Sequence, residues 1–160
     1  TNIGSKSDLA KNVASGNYYC EQAKAKYKSS WTSGSASMTL YSSYTPDFKC
    51  ATDGNGKGQV KASVGLLTYD EVVYAGGYYN QNNSNYYLYN SAIYWWTMSP
   101  AGLSDSQSRS TVWRVNNTGS IDYNSFYKGN ALSIRPVINL KSDTKISSGD
   151  GTKNNPFVVA

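Results

Sequence analysis

Apolar residues in this chain fall in short blocks separated by polar stretches, and no block is long enough for a membrane span. From Ser7 to Lys28, Ala, Lys, Glu and Gln surround Leu9, Val13 and Tyr27, which predicts one or two short helices broken at Gly16. Ser29 to Cys50 is rich in Ser, Thr and Tyr and reads as loop or short strand. Val64-Gly65-Leu66-Leu67 is a short apolar strand. Thr68-Tyr69-Asp70-Glu71 then has the form of a capping box, in which the Thr68 hydroxyl accepts from the Glu71 N–H and the Glu71 carboxylate reaches back. A helix of about two turns should follow and end at Gly76-Gly77.

Tyr78 to Asn90 is a Tyr- and Asn-rich loop, long enough to carry function. Ile93 to Met98 reads as a strand stopped by Ser99-Pro100, and Ala101 to Ser110 as a polar loop. Thr111 to Val115 is a strand. Asn116-Asn117-Thr118-Gly119 supplies the residues a hairpin turn needs, and Ser120 to Tyr127 is the returning strand. Lys128-Gly129-Asn130 turns into Ala131 to Leu140. The tail turns at Ser148-Gly149-Asp150-Gly151 and closes on Pro156-Phe157-Val158-Val159. Strand alternation puts Trp95 and Trp96 on opposite faces, and Trp95, Trp96 and Trp113 read first as core. Arg135, beside Pro136, reads as a structural arginine hydrogen-bonded beneath a binding surface.

Length sharpens this into one domain over residues 1–160, with a helical and loop part at 1–57 and the remainder at 58–160. Fifteen tyrosines, with abundant Gly, Ser and Asn, match the chemistry of binding surfaces; the same residues also suit a β-rich secreted protein with polar loops. The formal net charge of +5 raises the question of nucleic acid. Most of the cations are lysines and the arginines are only Arg109, Arg114 and Arg135, with no nucleic-acid motif beside them, so nucleic acid is not the expected partner.

Cys20 and Cys50 are read as a disulfide in an extracellular setting, against the alternative of two reduced core thiols. Closing a loop of about 30 residues would contribute roughly 3.5 kcal/mol by loop-closure entropy. The chain begins at Thr1 without a signal or membrane segment and is read as a trimmed ectodomain, though a cytosolic fragment would look the same.

Catalytic and metal chemistry find little footing. There is no histidine, Asp70 and Glu71 serve a helix start, and no second acid pairs with Asp105 or Asp122 in the sequence. Asp53-Gly54-Asn55-Gly56-Lys57-Gly58 resembles the start of a calcium loop. Lys57, however, stands where an oxygen ligand belongs and Val64 where the closing Glu belongs, so it reads as a turn. No metal and no cofactor is expected.

Val64-Gly65-Leu66-Leu67-Thr68 with Glu71 and Ala75-Gly76-Gly77, Tyr94-Trp95-Trp96-Thr97-Met98-Ser99-Pro100, and Arg135-Pro136-Val137-Ile138 together resemble bacterial surface proteins of C-type-lectin-like fold. The ending Ser148 to Phe157 resembles the tail of Firmicutes surface or pilin-like proteins, and the resemblance spans roughly Gly58 to Val159. It implies an α+β architecture with short helices around small twisted antiparallel sheets. The fold includes variable proteins of diversity-generating retroelements, whose substitutions fall at adenine-containing codons near the C-terminus. Asn, Ser, Asp and Tyr fill the Asn116 to Asn130 stretch in a way such a mechanism would produce; a plain polar hairpin would look similar. The fold also resembles the formylglycine-generating enzyme, but both cysteines lie outside the matched region, so its catalytic pair does not carry over. The Glu-Pro-Asn type of tripeptide of calcium-dependent lectins is absent too.

The expectation is thus an extracellular, cell-surface or pilus-associated module binding a protein or glycan ligand, without membrane contact of its own. Tyr123 and Tyr127 would be flat anchors, and Asn117, Ser120, Asp122, Asn124, Ser125 and Asn130 polar contacts; Asp105 and Ser108 would extend the patch. The rival readings are a structural pilin or surface-layer subunit and, less favoured, an enzyme of the formylglycine-generating type.

Overall fold

Thr68 caps a helix as its spacing from Glu71 predicts. In the computed structural model the Glu71 N–H donates to Thr68 Oγ1 (3.3 Å) and the Thr68 N–H donates to Glu71 Oε2 (2.7 Å). The helix that follows, α1 (Tyr69–Tyr74), ends where Gly76 takes φ +111°, a conformation a Cβ would oppose. The structure describes residues 11–20, 46, 48–50, 59–104, 109–125, 131–152 and 154–160.

Ten strands accompany α1 among the described residues. In chain order they are β1 (Asn17–Cys20), β2 (Gln59–Ala62), β3 (Gly65–Leu66), β4 (Trp95–Ser104), β5 (Arg109–Val115), β6 (Ile121–Ser125), β7 (Ser133–Ile134), β8 (Pro136–Val137), β9 (Ile146–Ser148) and β10 (Val158–Val159). β6, β5, β4 and β7 form a four-stranded sheet in that order, with β7 parallel to β4 and the other pairs antiparallel. β1 pairs with β2, β3 with β8, and β9 with β10, each as a two-stranded antiparallel sheet. Cys20, at the end of β1, is bridged to Cys50.

One face of the four-stranded sheet and α1 bury the core. Tyr69, Val72 and Val73 from the helix meet Trp95, Trp113, Val115 and Ile121 from the strands, with Tyr86 from the intervening loop. The register explains the selection, since Trp95 opposes Val115 and Val115 opposes Ile121, which places all three on one face. The Trp113 ring lies 4.6 Å from Tyr69 and edge-on to Tyr79 and Tyr123, both at 5.7 Å.

Ser99-Pro100 does not end β4. The strand continues to Ser104, and its register against β5 shifts between Trp96 and Pro100 and again between Pro100 and Gly102. A bulge accommodates the missing proline N–H without stopping the sheet. The polar side chains at the bulge are buried and bonded. Thr97 Oγ1 donates to Trp113 O (2.9 Å) and accepts from the Ser99 N–H (3.2 Å). Ser99 Oγ accepts from the Tyr69 N–H (2.9 Å), one of the donors left over at the start of α1. The Met98 N–H donates to Leu67 O at 2.7 Å.

Several expectations are corrected by this arrangement. The α+β architecture with several short helices gives way to small β-sheets with one short helix, closer to an all-β chain among the described residues. Within Ser7 to Lys28, Lys11 and Asn12 are helical as expected, but Asn17–Cys20 is a strand, because pairing with Gln59–Ala62 outweighs the weak helical preference of its surroundings; residues 7–10 and 21–28 lie outside the described residues. The apolar strand at Val64 to Leu67 is confined to Gly65–Leu66. The loop expected at Ala101 to Ser110 is strand to Ser104 and again from Arg109. Ala131 to Leu140 splits between two sheets. The hairpin at Asn116 to Gly119 and the tail turn before Val158 form as expected. The Asp53 to Gly58 turn lies outside the described residues.

Ser99→Ala should destabilise the fold by about 1–3 kcal/mol, because it leaves the buried Tyr69 N–H without its acceptor. Urea denaturation followed by tryptophan fluorescence measures this, and an unchanged midpoint would remove the bulge from its structural role.

Alkali gives a second test. Burial pushes the Tyr69 phenol up to about 12, with the Asp70 charge adding to the effect. Burial also pushes Tyr86 up to about 12, against an opposing pull from Arg135. An unfolded tyrosine titrates near 10, so the native chain holds these two protons longer than the unfolded one. Their contribution is complete below about pH 10 and is lost as pH rises from about 10 to 12. Denaturation midpoints should fall across that window, and the Tyr69→Phe/Tyr86→Phe double variant should show a flatter decline.

Candidate functional site

Residues on the core face of the four-stranded sheet alternate with residues on its outer face, and the outer row is chemically distinctive. Ile134 on β7 opposes Trp96 on β4, Trp96 opposes Arg114 on β5, and Arg114 opposes Asp122 on β6. Tyr94, one residue before β4, joins them, with the Arg114 guanidinium 4.9 Å from its ring centroid. Ile134 is 65% exposed, Tyr94 is also exposed, and Trp96 is half-buried. Two exposed apolar side chains and an indole thus flank a cation and a carboxylate on rigid backbone.

The central pair is held firmly. Arg114 Nε donates to Asp122 Oδ1 at 2.5 Å and Nη2 approaches Oδ2 at 3.5 Å, while Asn116 Nδ2 donates to Oδ2 at 3.1 Å. Asn116 is also the organiser of the hairpin turn. Its Oδ1 accepts from the Thr118 N–H (3.0 Å) and the Ser120 N–H (3.0 Å), an Asx-type arrangement that closes the five residues between β5 and β6. Gly119 completes the turn at φ +78°, where an added Cβ would collide with Asn83 O. The Thr118 hydroxyl, 2.7 Å from Asn82 Oδ1, ties the turn to the Tyr78 to Asn90 loop.

Against this geometry the expected contact residues separate. Asn117 is exposed at the apex of the turn. Ser120 is only 3% exposed and its Oγ lies 3.3 Å from Ile121 O, so its side chain is buried within the turn. Asp122 belongs to the outer face but is engaged by Arg114 and Asn116. Tyr123 is 46% exposed, yet it sits in the opposite row, stacked on Tyr79 at 6.5 Å and edge-on to Trp113. Asn124 and Ser125 occupy strand positions opposite Val112 and Thr111. Asp105, Ser108, Tyr127 and Asn130 lie outside the described residues. The described part of the expected patch therefore divides between two faces of one strand.

Sequence reasoning missed Tyr94, Trp96, Arg114 and Ile134. The signal was present in the period-two alternation around Trp95 and Trp113, which marks their neighbours as outward. Arg135, by contrast, is hydrogen-bonded as expected: Nη1 donates to Leu88 O and the guanidinium lies 5.3 Å from the Trp95 ring centroid.

Among the described residues no group of His, Cys, Asp or Glu could hold a metal ion, and no helix is long and apolar enough to cross a membrane. Residues 35–142 match the family of a domain of unknown function, DUF6273, and with more than half of its length matched the chain belongs to that family. The match begins upstream of Gly58 and ends before the Ser148 turn, so its limits differ from those of the C-type-lectin-like resemblance. No curated protein and no solved structure matches the chain.

A double-mutant cycle on Arg114→Gln and Asp122→Asn should give a coupling of about 1–3 kcal/mol, larger than for an exposed pair, because both side chains are mostly shielded from water. A coupling near zero would make the pair incidental to the hairpin.

Proposed function

We propose that this chain is an extracellular binding module whose contact surface is the outer face of the four-stranded sheet. The observation that carries the reading is the cross-strand row from Ile134 through Trp96 and Arg114 to Asp122, with Tyr94 beside it. Aromatic and arginine side chains in a fixed array are the groups that dominate the energetics of recognition, since they add contact area with little entropy left to lose. The Cys20–Cys50 bridge supports an oxidising, extracellular setting.

Ser120 and Asp122 favour a fixed surface over a diversified one. Changing Ser120 would disturb a buried position beside the turn, and changing Asp122 would leave Arg114 without its carboxylate. Diversity at these two sites would erode the hairpin that presents them.

Adhesion of domain-coated beads to intact cells tests the proposal, with Tyr94→Ser and Ile134→Thr as variants. Each should weaken adhesion about tenfold or more while leaving the melting temperature nearly unchanged, as expected for exposed anchors of a binding surface. Undiminished adhesion by both variants would refute the assignment of this face. Concentration-dependent assembly in light scattering, abolished by the same variants, would instead make the face a contact between subunits.

A further inference from the structure

A cleft of about 440 Å³ opens on a different part of the molecule, lined by Tyr87, Tyr89, Asn90, Ser91, Arg135, Thr152 and Pro156. It shares no residue with the outer row of the sheet. Among the described residues Arg135 is its only cationic lining residue, and an arginine is charged at every physiological pH. Its guanidinium is half-buried, with one face toward the Trp95 ring and one N–H given to Leu88 O. Among the described residues no carboxylate pairs with it. The nearby Asp150 carboxylate is taken up by its own turn, accepting from the Thr152 N–H at 2.9 Å, and does not line the cleft.

The bond to Leu88 O has a second consequence. Leu88 lies between Tyr87 and Tyr89, so Arg135 fixes the backbone that carries both tyrosines while its remaining donors stay available. Tyr87 is 64% exposed and Tyr89 half-buried, giving phenol surfaces at two depths. The amide of Asn90 and the hydroxyls of Ser91 and Thr152 complete the lining.

We propose that this cleft binds a sugar bearing a carboxylate, with Arg135 receiving the carboxylate and Tyr87 and Tyr89 stacking on the apolar faces of the sugar rings. The donor fork of an arginine matches a carboxylate more closely than it matches any neutral sugar group. Hydroxyl and amide side chains beside tyrosine suit a ligand that alternates C–H faces with hydroxyls. A peptide ending in a free carboxylate is the poorer fit, because among the described residues Pro156 is the only aliphatic lining residue and offers no pocket for an apolar side chain. This site adds to the sheet-face reading without depending on it.

The test is calorimetric titration of the protein with two matched pairs, 3′-sialyllactose against lactose and trigalacturonic acid against its methyl ester, with an acetylated tripeptide carrying a free C-terminal carboxylate as a further probe. At least one acidic sugar should bind about tenfold or more tightly than its neutral partner, the discrimination expected where a charged donor would be left unpaired. Tyr87→Ala should remove that binding with the melting temperature unchanged, since the ring is exposed. Arg135→Lys should keep the charge and lose most of the preference for the acid, because the ammonium lacks the fork. Equal binding of acidic and neutral members in both pairs, no binding of either acid, or tighter binding of the tripeptide than of both acidic sugars would each overturn the proposal. Any of these results leaves the bead-adhesion behaviour of the Tyr94 and Ile134 variants unaffected, so the two readings fail separately.

Discussion

The hydroxyl of Ser99 holds this fold together more than its size suggests. It accepts from the Tyr69 N–H at the first turn of α1, and so joins the helix to the bulged segment of β4. Thr97, two residues earlier, donates to Trp113 O on β5 and accepts from the Ser99 N–H. Three chain segments meet at two buried hydroxyls. A bulge necessarily leaves backbone groups without ladder partners, and in a buried position each would cost a lost hydrogen bond. Here the Thr-Met-Ser-Pro segment meets that cost with its own side chains and uses the surplus to receive the helix.

From that junction the layout of the sheet follows. Trp113 is fixed by the Thr97 bond to its carbonyl and packs against Tyr69 on the helix, Tyr79 on the loop and Tyr123 on β6. Once Trp113 faces the core, its neighbours Val112 and Arg114 must face away, and Arg114 meets Asp122 across the strand pair. Core packing and the outer row are thus one decision made twice. Burying one tryptophan commits the alternate residues to the outer face, where Arg114 and Asp122 pair and shield each other.

Legibility in the sequence was greatest where a single local rule decides the outcome. The Thr68–Glu71 capping box, the Gly76 stop, the Asn116 to Gly119 hairpin and the Cys20–Cys50 bridge all depend on a few adjacent residues or on one pair, and all were readable. Where tertiary context decides, reading failed. Ser99-Pro100 looks like a strand stop unless one knows that the neighbouring strand can slip its register and that a helix start needs an acceptor. Asn17–Cys20 looks helical by composition unless Gln59–Ala62 is known to lie beside it. The described part of the expected contact patch is divided for a related reason, since alternate residues of a strand face opposite ways even within one stretch of Asn, Ser, Asp and Tyr. Asp122 and Tyr123 are adjacent in sequence and on different sides of the sheet.

The two arginines described in full illustrate how one residue type serves different ends. Arg114 is neutralised across the strand pair, so its charge is largely spent on holding Asp122 and, through Asn116, the turn. In the proposed binding surface it contributes an oriented guanidinium set against the Tyr94 ring. Arg135 has an aromatic face and a backbone carbonyl but no carboxylate, so its charge is not cancelled within the described residues. A cation kept half-buried without an anion is costly, because water is partly removed and nothing of opposite sign replaces it. The Leu88 carbonyl and the Trp95 ring offset part of that cost. The remainder is recovered only when an anion enters the cleft, which makes Arg135 the position where ligand binding and fold stability would be thermodynamically linked.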